Sequence, residues 1–231
     1  MEIHLTNYKN LTILRDDLIE GGSKMRFIHK LLEPNKKGYI YCSMGYGAFQ
    51  VALSVWCKQN NKKCVIFTPD KKLLDKNTLK LYENGADVKL IKYGYTSVLN
   101  KRAKDFNINN DYQILHFGAN CEIAIHSISD IMKQIIEKLG YEPKNIYCAV
   151  GSGTLLSGIL KGTKKSIIHG VIIGKKFNIE HERIKLYKYP KPFSYESKLN
   201  IPFNSNKNYD RKVLEIALKH NIPKSFFWNV N

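Results

Sequence analysis

The sequence predicts an α/β fold built on parallel sheets, and three observations predict it. Short apolar runs alternate with amphipathic stretches of ten or so residues from Tyr39 to Ile173. That alternation is the pattern of right-handed βαβ units around a parallel sheet. Two of the runs, Tyr39-Ile40-Tyr41-Cys42 and Ile146-Tyr147-Cys148-Ala149-Val150, read as buried strands. Each leads directly into a glycine loop, Ser43-Met44-Gly45-Tyr46-Gly47 and Gly151-Ser152-Gly153-Thr154. With 231 residues and 43% hydrophobic content, the chain can build one large domain or two small ones.

In chain order, Leu11 to Leu14 is a short strand that runs into Arg15-Asp16-Asp17-Leu18. Gly21 and Gly22 permit positive φ and a close approach to a ligand. Ser23 is expected to cap a helix, which puts Lys24 in its first turn, where the helix dipole lowers the pKa of an ammonium. A lysine so placed can attack an aldehyde as a Schiff-base nucleophile, although a lysine after Gly-Gly-Ser also reads as a solvated loop charge. Asp16-Asp17 reads as a cap or as ion pairs with Arg15 or Arg26 rather than as an acid/base pair.

Beyond the first glycine loop the spacing predicts a helix over 48–58 and a strand over 64–68. A polar helix with Leu73, Leu74, Leu79 and Leu81 follows, closed by a left-handed cap at Asn84-Gly85. Strands are expected at 88–91, 113–117, 146–150 and 166–173. Helices are expected from Ser97 to Asp105, from Ile123 to Leu139, from Leu155 to Leu160 and from Tyr209 to His220. Residues 175–206 read as loop, and Phe226 to Asn231 as a tail.

Composition narrows the function classes. The formal charge is +17. Residues 161–231 hold 15 Lys+Arg against 5 Asp+Glu, or +10, and the rest of the chain supplies the remaining +7. Such a surface attracts phosphates and permits non-specific nucleic-acid binding, but no nucleic-acid module is recognisable, and a solvated basic face is the favoured reading. Five widely spaced cysteines (Cys42, Cys57, Cys64, Cys121, Cys148) form neither a zinc pattern nor a disulfide framework, so no metal is expected. With no apolar run near 18 residues and no signal peptide, the expectation is a soluble cytoplasmic protein.

Gly151-Ser152-Gly153-Thr154 joins a buried strand to a helix. Its backbone N–H groups, the helix N-terminus and two hydroxyls suit a phosphate, while a plain tight turn is the competing reading. Gly45-x-Gly47 also follows a strand and opens a helix, with Asp70 after the next strand, which is the outline of a dinucleotide fingerprint. Bulky Gln50 at the third glycine position argues against it.

Arg15-Asp16-Asp17-Leu18 followed by Gly21-Gly22-Ser23-Lys24-Met25-Arg26 resembles the lysine segment of the fold-type II pyridoxal-phosphate enzymes, the tryptophan synthase β type. Within that superfamily it is most similar to 1-aminocyclopropane-1-carboxylate deaminase and D-cysteine desulfhydrase. The Gly151 loop resembles the family's phosphate cradle, Gly118-Ala119-Asn120 its loop before the long helix, and Gly85-Ala86-Asp87-Val88 its Gly-Ala-x-Val stretch. The family usually carries asparagine at Ser23, and glycine then threonine at Thr154-Leu155.

The resemblance implies two open parallel-sheet α/β domains with the cofactor cleft between them. The large cofactor-binding domain would comprise 1–34 and 112–231, and the small one 35–111. It implies pyridoxal 5'-phosphate held by a Lys24 Schiff base, with Gly151, Ser152, Gly153 and Thr154 around the phosphate. Ser43, Gly45 and Tyr46 occupy the place of the family's substrate-carboxylate loop. Typical members continue further than this chain, and Ser225 is the nearest hydroxyl to serve the pyridine nitrogen. The implied protein is a homodimeric deaminase or lyase for a small amino acid of the aminocyclopropane-carboxylate or D-cysteine type. A degenerate relative that binds a small molecule or a partner without catalysis is the alternative.

Overall fold

The computed structural model describes residues 1–45, 47–70, 75–92, 94–115, 122–173 and 177–231. Tyr46, Leu73, Leu74, His116, Phe117, Gly118-Ala119-Asn120 and Cys121 therefore lie outside the described residues. The strands are β1 (Leu5–Tyr8), β2 (Leu11–Arg15), β3 (Gly38–Cys42), β4 (Lys63–Pro69), β5 (Asp87–Ile91), β6 (Gln113–Leu115), β7 (Asn145–Val150), β8 (Ile167–Ile172), β9 (Ile184–Lys188) and β10 (Ser225–Asn229). The helices are α1 (Ala48–Gln59), α2 (Lys76–Glu83), α3 (Thr96–Asn107), α4 (Glu122–Leu139), α5 (Thr154–Gly162) and α6 (Asp210–His220). The chain divides into two units, Met1–Arg26 with Asn120–Asn231, and Phe27–Ala119.

The first unit carries a sheet in the order β1-β2-β10-β7-β8-β9, parallel throughout except for β1. From β7 the chain steps outward to β8 and β9, then returns to lay β10 on the other side of β7. The order thus reverses between β7 and β10, the place where open α/β sheets bind ligands beyond their carboxyl ends. Every residue of β10 is buried, and its Phe226-Phe227-Trp228 run does not alternate because both faces of a central parallel strand are covered. The sequence expectation of a tail at 226–231 is corrected by this pairing. Two further strands, β1 and β9, lie in stretches read as loop or left unassigned.

On α5, Gly158 and Gly162 sit one turn apart against α4. A Cβ on Gly158 would fall 2.5 Å from Ile128 Cβ, and one on Gly162 would fall 2.7 Å from Met132 Cβ. The two helices approach so closely because these positions lack side chains.

The second unit carries a parallel sheet in the order β5-β4-β3-β6. Its order reverses beside β3, so the Ser43 loop leaves a second switch point. Asp75 caps α2 by accepting the Thr78 N–H at 3.0 Å, and Gly85 beyond its end has φ +74, as Asn84-Gly85 predicts.

Candidate functional site

Lys24 lies in a 3₁₀ turn, Gly22–Arg26, and not in the first turn of an α-helix. Ser23 does not cap it, because its hydroxyl is committed to Asp16 at 2.5 Å. Asp16 follows directly on β2, wholly buried, and pairs with Arg26 at 2.6 Å. Arg15 pairs with Asp17 at 2.8 Å, so both carboxylates are spent on ion pairs, as the sequence suggests. Removing Asp16 would leave a buried guanidinium uncompensated, at a cost of about 3–5 kcal/mol.

Burial, not a helix dipole, pushes the Lys24 ammonium below its ordinary value, against the opposing pull of the Asp210 carboxylate. Among the described residues Lys24 Nζ makes no hydrogen bond or ion pair, so the amine is available for chemistry.

The Gly151 loop leaves the carboxyl end of β7 and opens α5, with Gly153 at φ +87. A Cβ there would run into the Phe177 ring, and one on Gly151 would lie 2.8 Å from Tyr209 Oη. Both glycines are therefore required by the space around them. Ser152 Oγ and Thr154 Oγ1 share a hydrogen bond at 2.9 Å beside the α5 N-terminus.

Tyr209-Asp210, which in sequence only opens a helix, lies beside this loop. Asp210 is fully buried; its Oδ2 accepts the Asn231 N–H at 3.2 Å while Oδ1 has no partner. Burial drives its carboxyl well above the ordinary range, and the Lys24 charge works in the opposite direction. Burial and the Asp210 carboxylate likewise push the Tyr209 phenol upward. Lys24, the Gly151 loop, Tyr209 and Asp210 thus gather at the carboxyl edge of one sheet.

Ser225 is not brought to them. It opens β10 at the amino end of the sheet, and its hydroxyl donates to Ile222 O at 2.8 Å. In parallel register Phe227 lies beside Tyr147, so β10 reaches the level of Val150 only near Val230.

In the second unit, buried Ser43 follows β3, and its Oγ accepts the Gly45 N–H at 3.1 Å. Gly45 has φ +89, and Gln50 Nε2 donates to its carbonyl at 3.0 Å. Gln50, bulky where a dinucleotide fingerprint needs glycine, is wholly buried and leaves Oε1 without a partner. Among the described residues no cluster of histidine, cysteine and acidic side chains could hold a metal ion. Four cysteines are free and buried among those residues.

These features coincide with a family match over residues 9–179: the chain belongs to the pyridoxal-phosphate dependent enzymes. Pyridoxal phosphate is that family's cofactor, and its fold-type II members share this architecture. The chain is similar in fold to an ACC deaminase homologue, at 15% identity and a TM-score of 0.75, covering 94% of this chain and 82% of the other. A hydrogen sulfide-producing enzyme from Fusobacterium nucleatum matches at 13% identity and TM-score 0.75, over 99% and 94% of the two chains. A threonine deaminase from T.th. matches at 16% identity and TM-score 0.71, over 95% and 86%. No helix among the described residues is long and apolar enough to cross a membrane.

The residues present fit the cofactor. The glycine loop offers backbone N–H groups where side chains are excluded, Lys24 offers an unpaired amine, and Asp210 Oδ1 is a buried acceptor in need of a donor. A protonated ring nitrogen is such a donor.

Proposed function

We propose that this chain is a deaminase or lyase acting on a small amino acid of the 1-aminocyclopropane-1-carboxylate or D-cysteine type, with Lys24 as the cofactor lysine. One observation carries the reading: a half-buried lysine without a hydrogen-bond or ion-pair partner among the described residues, at the carboxyl edge of the sheet that also bears the glycine loop.

Gly151, Ser152, Gly153 and Thr154 would hold the cofactor's phosphate, and Asp210 Oδ1 its ring nitrogen. When bound, pyridoxal phosphate supplies an electron sink for charge developing beside the substrate's amino group. Lys24 would hold the cofactor's aldehyde carbon, and its amine is the group that would take and return a proton at the substrate carbon. Its lowered pKa keeps a larger share of the amine unprotonated near neutral pH, as a base requires. Tyr209 Oη, beside Gly151, is a second group able to hold a proton there. Ser43 and Gly45 are the groups proposed for the substrate carboxylate. The products would be a 2-oxo acid and ammonia, with sulfide where the substrate carries sulfur.

The experiment is an absorbance titration with pyridoxal phosphate, borohydride trapping and peptide mapping, followed by a screen of D- and L-amino acids. Cofactor trapped on Lys24 and release of 2-oxo acid are expected, with Lys24→Ala losing the visible band and roughly 10²–10⁴-fold in turnover. Unchanged absorbance and turnover in Lys24→Ala would defeat the reading. A band without turnover of any amino acid would favour the non-catalytic alternative.

A further inference from the structure

The turn that bears Lys24 is bolted to a single buried carboxylate. Asp16 accepts hydrogen bonds from Ser23 Oγ at 2.5 Å, Arg26 Nε at 3.0 Å, Arg26 Nη2 at 2.6 Å and Trp228 Nε1 at 3.0 Å. A carboxylate has about four lone-pair sites, so these donors fill it. Trp228 Nε1 also lies 3.0 Å from Ser23 Oγ, which ties the turn to the central strand β10.

Ser23 and Arg26 are three residues apart, and in a 3₁₀ turn such residues eclipse on one face. That face points at Asp16. Lys24 follows Ser23 by one residue and so projects about a third of a turn away from it. The backbone holds the same segment from the other side. Ser23 N–H donates to Val230 O at 3.1 Å, and a Cβ on Gly22 would strike Val230 O and the Asn231 side chain. The axis of the turn is thus set by the backbone that follows the last strand, and its rotation about that axis is set by Asp16.

We propose that Asp16 is the positioning residue for Lys24: by holding Ser23 and Arg26 together it fixes the rotational phase of the turn and thereby the direction of the ammonium. This rests on the reading of Lys24 as the cofactor lysine, but its test does not need the cofactor. A merely structural Asp16 would stabilise the unit without controlling where Lys24 points.

In the cofactor-free protein, acylation at graded pH with peptide mapping reads the reactivity of Lys24 directly. Lys133, exposed on α4, serves as the reference lysine. Lys212, fully buried, acylates only if the unit opens. Ser23→Ala removes one donor that sets the phase, Ser23→Thr restores it, and Asp16→Asn removes the charge and replaces one of the two accepting oxygens with a donor. In Ser23→Ala the acylation midpoint of Lys24 is expected to rise toward the ordinary 10.5, with Lys212 still protected. Ser23→Thr should return it to the wild-type value, and Asp16→Asn should move it further. Borohydride-trapped cofactor should fall roughly tenfold to hundredfold in Ser23→Ala, since a small misplacement of a reacting group has effects of that size.

An unchanged Lys24 midpoint in Ser23→Ala overturns the proposal. So does a shift that appears only together with acylation of Lys212, because opening of the unit then explains it. If the wild type itself traps no cofactor, the cofactor reading fails, while the acylation midpoint still decides the role of Asp16.

Discussion

Asp210 sits at the N-terminus of α6 with one carboxylate oxygen bonded to the Asn231 N–H and the other without a partner. Its carboxyl is raised by burial, so the folded state holds this proton more tightly than the unfolded chain does. The sign of the linkage follows: the stability from that group is complete below its unfolded pKa and is lost as pH rises through the folded value. Burying this group is therefore a cost at pH values above its unfolded pKa. Asp210→Asn should raise the stability of the cofactor-free protein by about 1–3 kcal/mol at neutral pH, measured by urea unfolding. The gain should shrink on acidification, and cofactor loading should weaken. A loss of stability at neutral pH would mean that the carboxylate's bonds outweigh its burial. Asp210 was not legible as a site residue in the sequence, where Tyr209-Asp210 looks like an ordinary helix start. Its chemistry comes from being covered by the chain around Val230 and Asn231, some twenty residues later. Lys24 stands out in the sequence because its neighbours Gly21-Gly22-Ser23 and Arg26 form a local pattern. The cause of its lowered pKa does not, since burial and not a helix dipole supplies it.

Among the elements, those with local signals came through in the sequence. The α4 helix shows its period in Ile128, Ile131, Met132 and Ile135, and β7 is an unbroken apolar run before a glycine loop. The β10 strand failed for a non-local reason: nothing near Phe226 says that β2 and β7 leave a gap of one strand between them. Ser225 is placed with it at the start of a parallel strand, the opposite end of the sheet from the carboxyl edge that bears Lys24 and the glycine loop. The α4–α5 pair also hides its logic until the helices are seen together. Gly158 and Gly162 look like helix weaknesses, costing about 1 kcal/mol each against alanine in an isolated helix. In the fold they are what lets α5 lie on Ile128 and Met132. Gly162→Val should therefore destabilise the protein by roughly 1–3 kcal/mol through overpacking, despite the better side chain for burial. Thermal unfolding with and without added cofactor would check this. A variant as stable as the wild type would show that α4 can move aside.

Across the first unit, the parallel sheet puts its chemistry at the carboxyl edge and a different group of titratable side chains toward its amino end. His169 on β8 donates or accepts at both ring nitrogens, with Tyr187 Oη at 3.0 Å and Asn145 Oδ1 at 2.9 Å. Its ring stacks on Tyr147 with centroids 4.4 Å apart, and Tyr147 Oη in turn meets His220 Nδ1 at 3.0 Å. Burial, helped by the His220 and Lys185 charges, lowers the His169 pKa to about 4 from 6.5. Because the folded value lies below the unfolded one, the unfolded chain binds more protons between those two pH values. Stability should therefore fall as pH drops from about 6.5 to about 4. The loss is at most about 3 kcal/mol, and solvent screening of the neighbouring charges reduces it. Asp210 acts in the opposite sense over part of the same range, so the two must be separated by mutation. His169→Phe keeps an aromatic ring between the tyrosines but cannot titrate, and its urea midpoint should be flatter through this window. Asp210→Asn should make the acid limb steeper, because it removes the group that gains stability on protonation. If His169→Phe kept the full slope, the acid sensitivity would belong to another group. If both variants behaved as expected, the acid limit of the fold would be set at the amino end of the sheet, while the carboxyl edge carries an acid whose burial costs stability above its unfolded pKa.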